Sequence, residues 1–232
     1  MKQRTESFTS HLASLLDNGL AQKLYTCASL VLGDGSGVAF EKHVGHLRPP
    51  NRLPASPNTI FDLASVTKPL ACASSTLLLT QRKSLSLSLP LSRFFSLPSD
   101  VPLRAVTLRH LITHTSGLPA WVALYQQHHT KEDIIAAVLR TPLEAKPGER
   151  YRYSDLGIML LSAVVEKVTG TSLADFAKRE IYQPLGMTDT TFCPSPTLLS
   201  RIVPTEFDKR WRRHVRGVVH DENARAMGGV SG

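Results

Sequence analysis

The segment from Leu156 to Val168, LGIMLLSAVVEKV, constrains this chain more than any other stretch. It is strongly apolar and is closed by Gly170, which reads as a helix ending at a left-handed glycine cap. It falls short of the ~20 apolar residues that a membrane-spanning helix needs, so it has to be buried in a folded core. With 232 residues, 42% of them hydrophobic and 20% charged, the chain has enough material for one sizeable core, and its composition argues against wholesale disorder.

The elements around that helix follow from local signals. The N-terminal stretch reads as an amphipathic helix with Phe8, Leu12, Leu15, Leu16 and Leu20 near one face. Its polar residues stand where a signal peptide needs an unbroken apolar run, so cytoplasmic residence is the default expectation. An apolar run from Cys27 to Leu32 meets GDGSG and then a second strand near Val38 to His46, the pattern of a hairpin. The proline-rich RPPNRLPASPNT is a loop, and from Val66 onward the chain is apolar and small, as a buried helix would be. SLSLSLPLSRFF fits a strand or a short connector equally, because Pro90 and the serine bias offset its alternation. Later helices are expected behind the caps Thr107, Thr130 and Ser172. The expected class is α+β: helix, two strands, then mostly helices, in one domain over residues 1–232. The two early strands have no later strands to pair with, and a lone hairpin is marginal and exposes its edges. An open sheet edge also offers a route to oligomers.

Serine chemistry is the strongest functional signal. Ser65 stands three places before Lys68 in FDLASVTKPL, at a helix start that tolerates Pro69. Residue i+3 lies one turn on, so the Lys68 amine can reach the Ser65 hydroxyl and activate it. The positive end of the helix dipole favours developing negative charge there, and backbone N–H groups, including that of Ser65, can serve an oxyanion. The competing reading is that Ser65 only caps the helix and Lys68 points to solvent. Tyr153, between the Pro147-Gly148 turn and the apolar helix, adds a phenol that can act as base or proton relay. Its competing reading is core packing with the hydroxyl satisfied.

These segments together resemble a known family. FDLASVTKPL, LRHLITHTSGLP, PGERYRYSDLGIMLLSAVVEKVTG, IYQPLGMTDTTF and VPTEFD…RGVVHDENARAMGGVSG occur in the order seen in the serine β-lactamase-related hydrolases, the superfamily of class C β-lactamases, D-Ala-D-Ala carboxypeptidases and esterases. The resemblance runs from about residue 25 to the last residue. It implies a β-lactamase/transpeptidase-like fold, Ser65 as acyl-accepting nucleophile, Lys68 as its activating amine and Tyr153 as the tyrosine of the Tyr-x-Asn motif. Asp155 stands where class C enzymes have Asn, a substrate-binding position; it keeps an acceptor, loses the amide donor, and beside Lys68 favours the charged amine. The implied reaction is attack on an amide or ester, an acyl-enzyme, then hydrolysis. The family's Lys/His-x-Gly motif, three strands and closing helix have no counterpart, so the chain reads as a truncated member with an incomplete sheet and one oxyanion donor fewer, a loss of about a hundredfold or more in rate. That leaves open a catalytically dead remnant that binds a peptide or protein partner.

Other motifs carry less. His110 and His114 have chelating spacing, but Leu111 stands where a metalloprotease has Glu, and no third ligand is apparent. His43 and His46 fall on opposite sides of a strand. GDGSG lacks the Gly-Lys-Ser/Thr ending of a phosphate loop and suits a hairpin turn. Neither a metal nor another cofactor is expected. Cys27, Cys72 and Cys193 are widely spaced and odd in number, which argues against a disulfide framework. The net charge of +8 concentrates in KRWRRHVR, residues 209–216, where Trp211 among cations suits a nucleic-acid patch, but neighbouring Glu206, Asp208, Asp221 and Glu222 would repel phosphate. A solvated basic loop is the plainer reading, and the expected partner is a small-molecule or peptide substrate.

Overall fold

The computed structural model describes residues 2–47, 52–209 and 212–230, with side chains from residue 7 onward. The chain divides into two compact units, Met1–Asp62 with Pro194–Gly217, and Leu63–Cys193 with Val218–Gly232.

In the first unit, helix α1 (Lys2–Ala21) precedes an antiparallel hairpin of β1 (Cys27–Asp34) and β2 (Gly37–Gly45). The helix forms as its pattern predicts, but its packing stripe is narrower. Phe8 and Leu15 are exposed, while Leu12, Leu16 and Leu20 are half-buried at the i, i+4, i+8 spacing of one helix face. α1 packs on β2; Lys42 Nζ donates to Asp17 Oδ2 at 2.6 Å, and the Tyr25 hydroxyl donates to Leu16 O at 2.7 Å. The strands run further into GDGSG than the sequence suggests. The register shifts between Leu32 and Gly33, leaving Ala39 unpaired, and the Asp34 carboxylate accepts from the Ser36 N–H at 2.8 Å, which closes the turn at Gly35-Ser36. His43 lies opposite Ser29 and bonds its hydroxyl at 2.8 Å and Glu41 at 2.7 Å. A second pair, β3 (Phe207–Asp208) with β4 (Arg213–His214), was not expected from the sequence. It places part of the basic stretch at a strand connection; Arg210 and Trp211 of that stretch lie outside the described residues, as do residues 48–51 of the proline-rich loop and the closing Ser231 and Gly232.

The second unit is built around the apolar helix. α5 (Asp155–Thr169) buries every residue from Leu156 to Val165, and Gly170 ends it at φ +68° as the cap predicts. α2 (Ser74–Gln81), α3 (Leu108–Ile112), α4 (Lys131–Arg140) and α6 (Leu173–Ala177) each pack against it. α7 (Glu222–Ala226) brings Met227 and Val230 into the same core. Thr107, Thr130 and Ser172 cap their helices as expected. SLSLSLPLSRFF is a connector with a 3-10 turn at Leu91–Arg93, anchored by buried Leu85 and Leu91. Among the described residues, no single helix is long and apolar enough to cross a membrane. The α+β class stands, with strands confined to two small antiparallel pairs among the described residues.

Candidate active site

Ser65 does not open a regular α-helix. It sits in a 3-10 turn, Ala64–Val66, that passes into a π-helical turn, Lys68–Ala73, before α2 begins. The π-turn is held by Pro69 O, which accepts both the backbone N–H of Ser74 and the Ser74 hydroxyl, the latter at 2.8 Å. Such turns are frequent at functional sites. Ala64, just before the serine, is held at φ +44°, a left-handed conformation unfavourable for a residue with a Cβ.

The turn separates the serine from its lysine by environment. Ser65 is exposed, whereas Lys68 is 3% exposed. Lys68 Nζ donates to Ser65 Oγ at 2.8 Å and lies 2.9 Å from Asp155 Oδ1. The second contact is an ion pair. Lys68 Nζ also lies 5.1 Å from the centre of the Tyr153 ring, within cation–π range. Tyr153 is 42% exposed, so it borders the site rather than filling the core.

Two distant segments hold the other half of this cluster, and backbone bonds zip them together. Glu144 N donates to Gly117 O at 2.7 Å, Gly148 N to Thr115 O at 2.8 Å, Arg152 N to His114 O at 2.7 Å and Asp155 N to Ala120 O at 2.9 Å. Gly117 permits the approach: at φ +81°, a Cβ there would lie 2.1 Å from Ala145 O. Ser154 caps α5, accepting from Gly157 N at 3.2 Å and donating to Pro119 O at 2.6 Å. This zipper explains why HTSGLP and PGERYRYSD accompany each other in the sequence.

His114 belongs to the cluster, although the sequence singles it out only for its chelating spacing. Its Nδ1 accepts from Ser154 N at 3.1 Å, and its ring lies 4.6 Å from the Tyr153 ring with a 37° tilt. His110 instead turns its Nδ1 to the Thr107 N–H at 3.2 Å, completing the α3 cap. Both histidines thus spend a ring nitrogen on backbone. Among the described residues, no group of three or more His, Cys, Asp or Glu side chains is placed to hold a metal ion. Behind the lysine, Cys72 is buried, and burial pushes its thiol far above the ordinary value, with Glu166 adding to the shift against Lys68. It is an inert core residue. A cleft of about 390 Å³ in the first unit, bordered by Tyr25, Cys27, Phe61, Val203 and His214, contains none of these residues.

The model of the family described as Beta-lactamase matches residues 12–231. The chain belongs to the Beta-lactamase family. Curated relatives of this family member are a putative D-alanyl-D-alanine carboxypeptidase of Escherichia coli O157:H7, 34% identical over 226 residues covering 84% of this chain and 51% of that protein, and esterase EstB of Burkholderia gladioli, 31% identical over 207 residues covering 80% and 52%. Among solved structures, the octameric penicillin-binding protein homologue from Pyrococcus abyssi superposes with a TM-score of 0.74 at 27% identity, covering 89% of this chain and 50% of that one. The fold is therefore the β-lactamase and penicillin-binding-protein-like α+β fold, and the family is one of serine-type hydrolases. The chain spans about half the length of the curated relatives it matches.

Proposed function

We propose that this family member is an acyl-transferring serine hydrolase, with Ser65 as nucleophile, Lys68 as proton acceptor, Tyr153 as proton relay and Asp155 as the group that holds Lys68 at the substrate-facing rim. In the reaction Lys68 acts in its uncharged form, the ion pair with Asp155 being the resting state: Ser65 Oγ forms a bond to the carbonyl carbon of an amide or ester while its proton passes to the Lys68–Tyr153 pair. The carbonyl oxygen becomes an oxyanion served by the Ser65 backbone N–H. Collapse breaks the bond to the leaving amine or alcohol, which takes the proton, and leaves an acyl-enzyme. Water then attacks the ester, and Ser65 Oγ recovers a proton. The observation that carries this reading is the 2.8 Å contact between exposed Ser65 and a lysine that is 3% exposed. A lysine that only decorated the surface would not be withdrawn from water beside a serine. The relatives' names extend the reading to substrates: peptides ending in D-alanyl-D-alanine, or simple esters.

Intact mass spectrometry after incubation with a fluorophosphonate or a fluorescent penicillin tests this. We expect one adduct on wild-type chain, mapped to Ser65, and none on Ser65→Ala. Absence of an adduct on a chain shown by circular dichroism to be folded would overturn the hydrolase reading and favour a chain that binds a peptide or protein partner without chemistry.

A further inference from the structure

We infer that His114 is a positioning residue of this site: neutral, it holds the Tyr153 ring and the Ser154–Asp155 start of α5 in register with Ser65 and Lys68, and protonated it releases them. The inference rests on the hydrolase reading for its effect on rate, but its structural half stands apart from it.

Four observations meet at this residue. First, His114 is held at φ +56°, left-handed for a residue with a full side chain, between its own N–H donating to Leu111 O at 3.1 Å and its O accepting from Arg152 N at 2.7 Å. Its direction is therefore set by the zipper that assembles the site. Second, a backbone N–H only donates, so the Nδ1 that meets Ser154 N at 3.1 Å carries a lone pair and the ring proton sits on Nε2. Protonating Nδ1 puts two donors face to face at the residue that caps α5 and precedes Asp155. Third, the ring lies against Tyr153 at 4.6 Å and meets Tyr151 edge-on at 6.1 Å, so it is the platform for the phenol. Fourth, charge at the site opposes a second cation. Among the described residues, the titratable groups that act on or touch the ring are Lys68, Asp155, Tyr151 and Tyr153. Burial, then the Lys68 charge, holds the imidazole below its ordinary value of 6.5, against the pull of Asp155; the Ser154 contact would favour the charged ring only if the ring were the donor, and here Ser154 N is the donor. At neutral pH the ring is thus a neutral acceptor, and release belongs to the acid side.

The wild-type chain supplies the first test by NMR. The His114 Cε1–Hε1 signal is expected to titrate below 6.5, and the Tyr153 ring signals, assigned with Tyr153→Phe, are expected to move with the same midpoint. Tyr153 signals indifferent to that titration would overturn the inference whether or not the chain is active. The second test reads Ser65 acylation by the fluorophosphonate across pH. Wild-type rate should fall on the acid side with the His114 midpoint. His114→Phe keeps a ring but no acceptor and is expected to acylate about a hundredfold slower at neutral pH. His114→Asn supplies an acceptor oxygen and tolerates the left-handed backbone; it should restore most of the lost rate and abolish the His-linked acid step. A merely structural histidine would leave the pH step in place in His114→Asn. A folded wild-type chain with no adduct would remove the hydrolase reading alone, with the NMR result still deciding the role of His114.

Discussion

Asp155 decides how Lys68 survives burial. An ammonium withdrawn from water costs several kcal/mol unless it is paired and hydrogen-bonded, and Lys68 has Ser65 Oγ at 2.8 Å and Asp155 Oδ1 at 2.9 Å. Replacing one partner of such a pair by an apolar group leaves the other charge stranded. Asp155→Leu should therefore lower unfolding free energy by about 3 kcal/mol or more. Asp155→Asn retains an oxygen for the ammonium and should lose only about 1 to 2 kcal/mol. Urea titrations of both variants compare the two losses, and a loss within about 0.5 kcal/mol of zero in Asp155→Leu would mean that the carboxylate does not hold Lys68. This residue was legible from sequence only through the resemblance, as the occupant of a substrate-binding Asn position. Its place on Lys68 follows from where α5 begins, which is a matter of capping. His114 was less legible still. Its partners Ser154 and Tyr153 lie about forty residues on, and local spacing pointed to chelation instead. The left-handed backbone at Ala64 left no mark either, because alanine is not the glycine or asparagine that such a conformation usually selects.

At the scale of elements, caps were read correctly because their signal is local: a side-chain oxygen and an N–H three residues on. Thr107, Thr130 and Ser172 need nothing from the rest of the fold. Helix α5 was equally plain, since thirteen largely apolar positions closed by a glycine have one comfortable outcome, burial as a helix. The turn under Ser65 was not, because the switch from 3-10 to π winding depends on what packs around Pro69 and Ser74. Ser154 shows how the two kinds of information combine. It is a local cap, but it is fully buried and its hydroxyl also ties α5 to Pro119 O at 2.6 Å. Ser154→Ala should accordingly cost about 2 to 3 kcal/mol, a cap plus the lost bond from a buried hydroxyl to Pro119 O. Thr130→Ala, at an exposed cap, should cost about 1 kcal/mol. Chemical denaturation of the two variants side by side measures the difference. A Ser154→Ala loss no larger than that of Thr130→Ala would mean that the tie to Pro119 contributes nothing.

At the scale of the whole molecule, apolar burial is divided unevenly. The continuous core, from Ala71 to Tyr182 with Met227 and Val230, lies in the second unit, around α5. In the first unit the buried apolar side chains are Cys27, Val44, Leu47, Ile202 and Pro204 among those described. Stability follows buried apolar contact, and elements with little of it open locally at a fraction of the global cost. A two-stranded ladder is marginal by itself, and β1 and β2 owe part of their order to α1 and to the Lys42–Asp17 pair. Native-state hydrogen exchange read by mass spectrometry should thus find the amides of Leu160–Val165 exchanging only through global unfolding, and those of the β1–β2 ladder exchanging much sooner. Salt should speed the hairpin further by screening the exposed Lys42–Asp17 pair while leaving α5 unaffected. Edge pairing with a second copy would add protection that rises with protein concentration, and size-exclusion chromatography with light scattering would show the matching oligomer. Hairpin amides as slow as those of α5 in dilute solution would refute this division of stability, because the hairpin would then share the cooperative unit that α5 anchors.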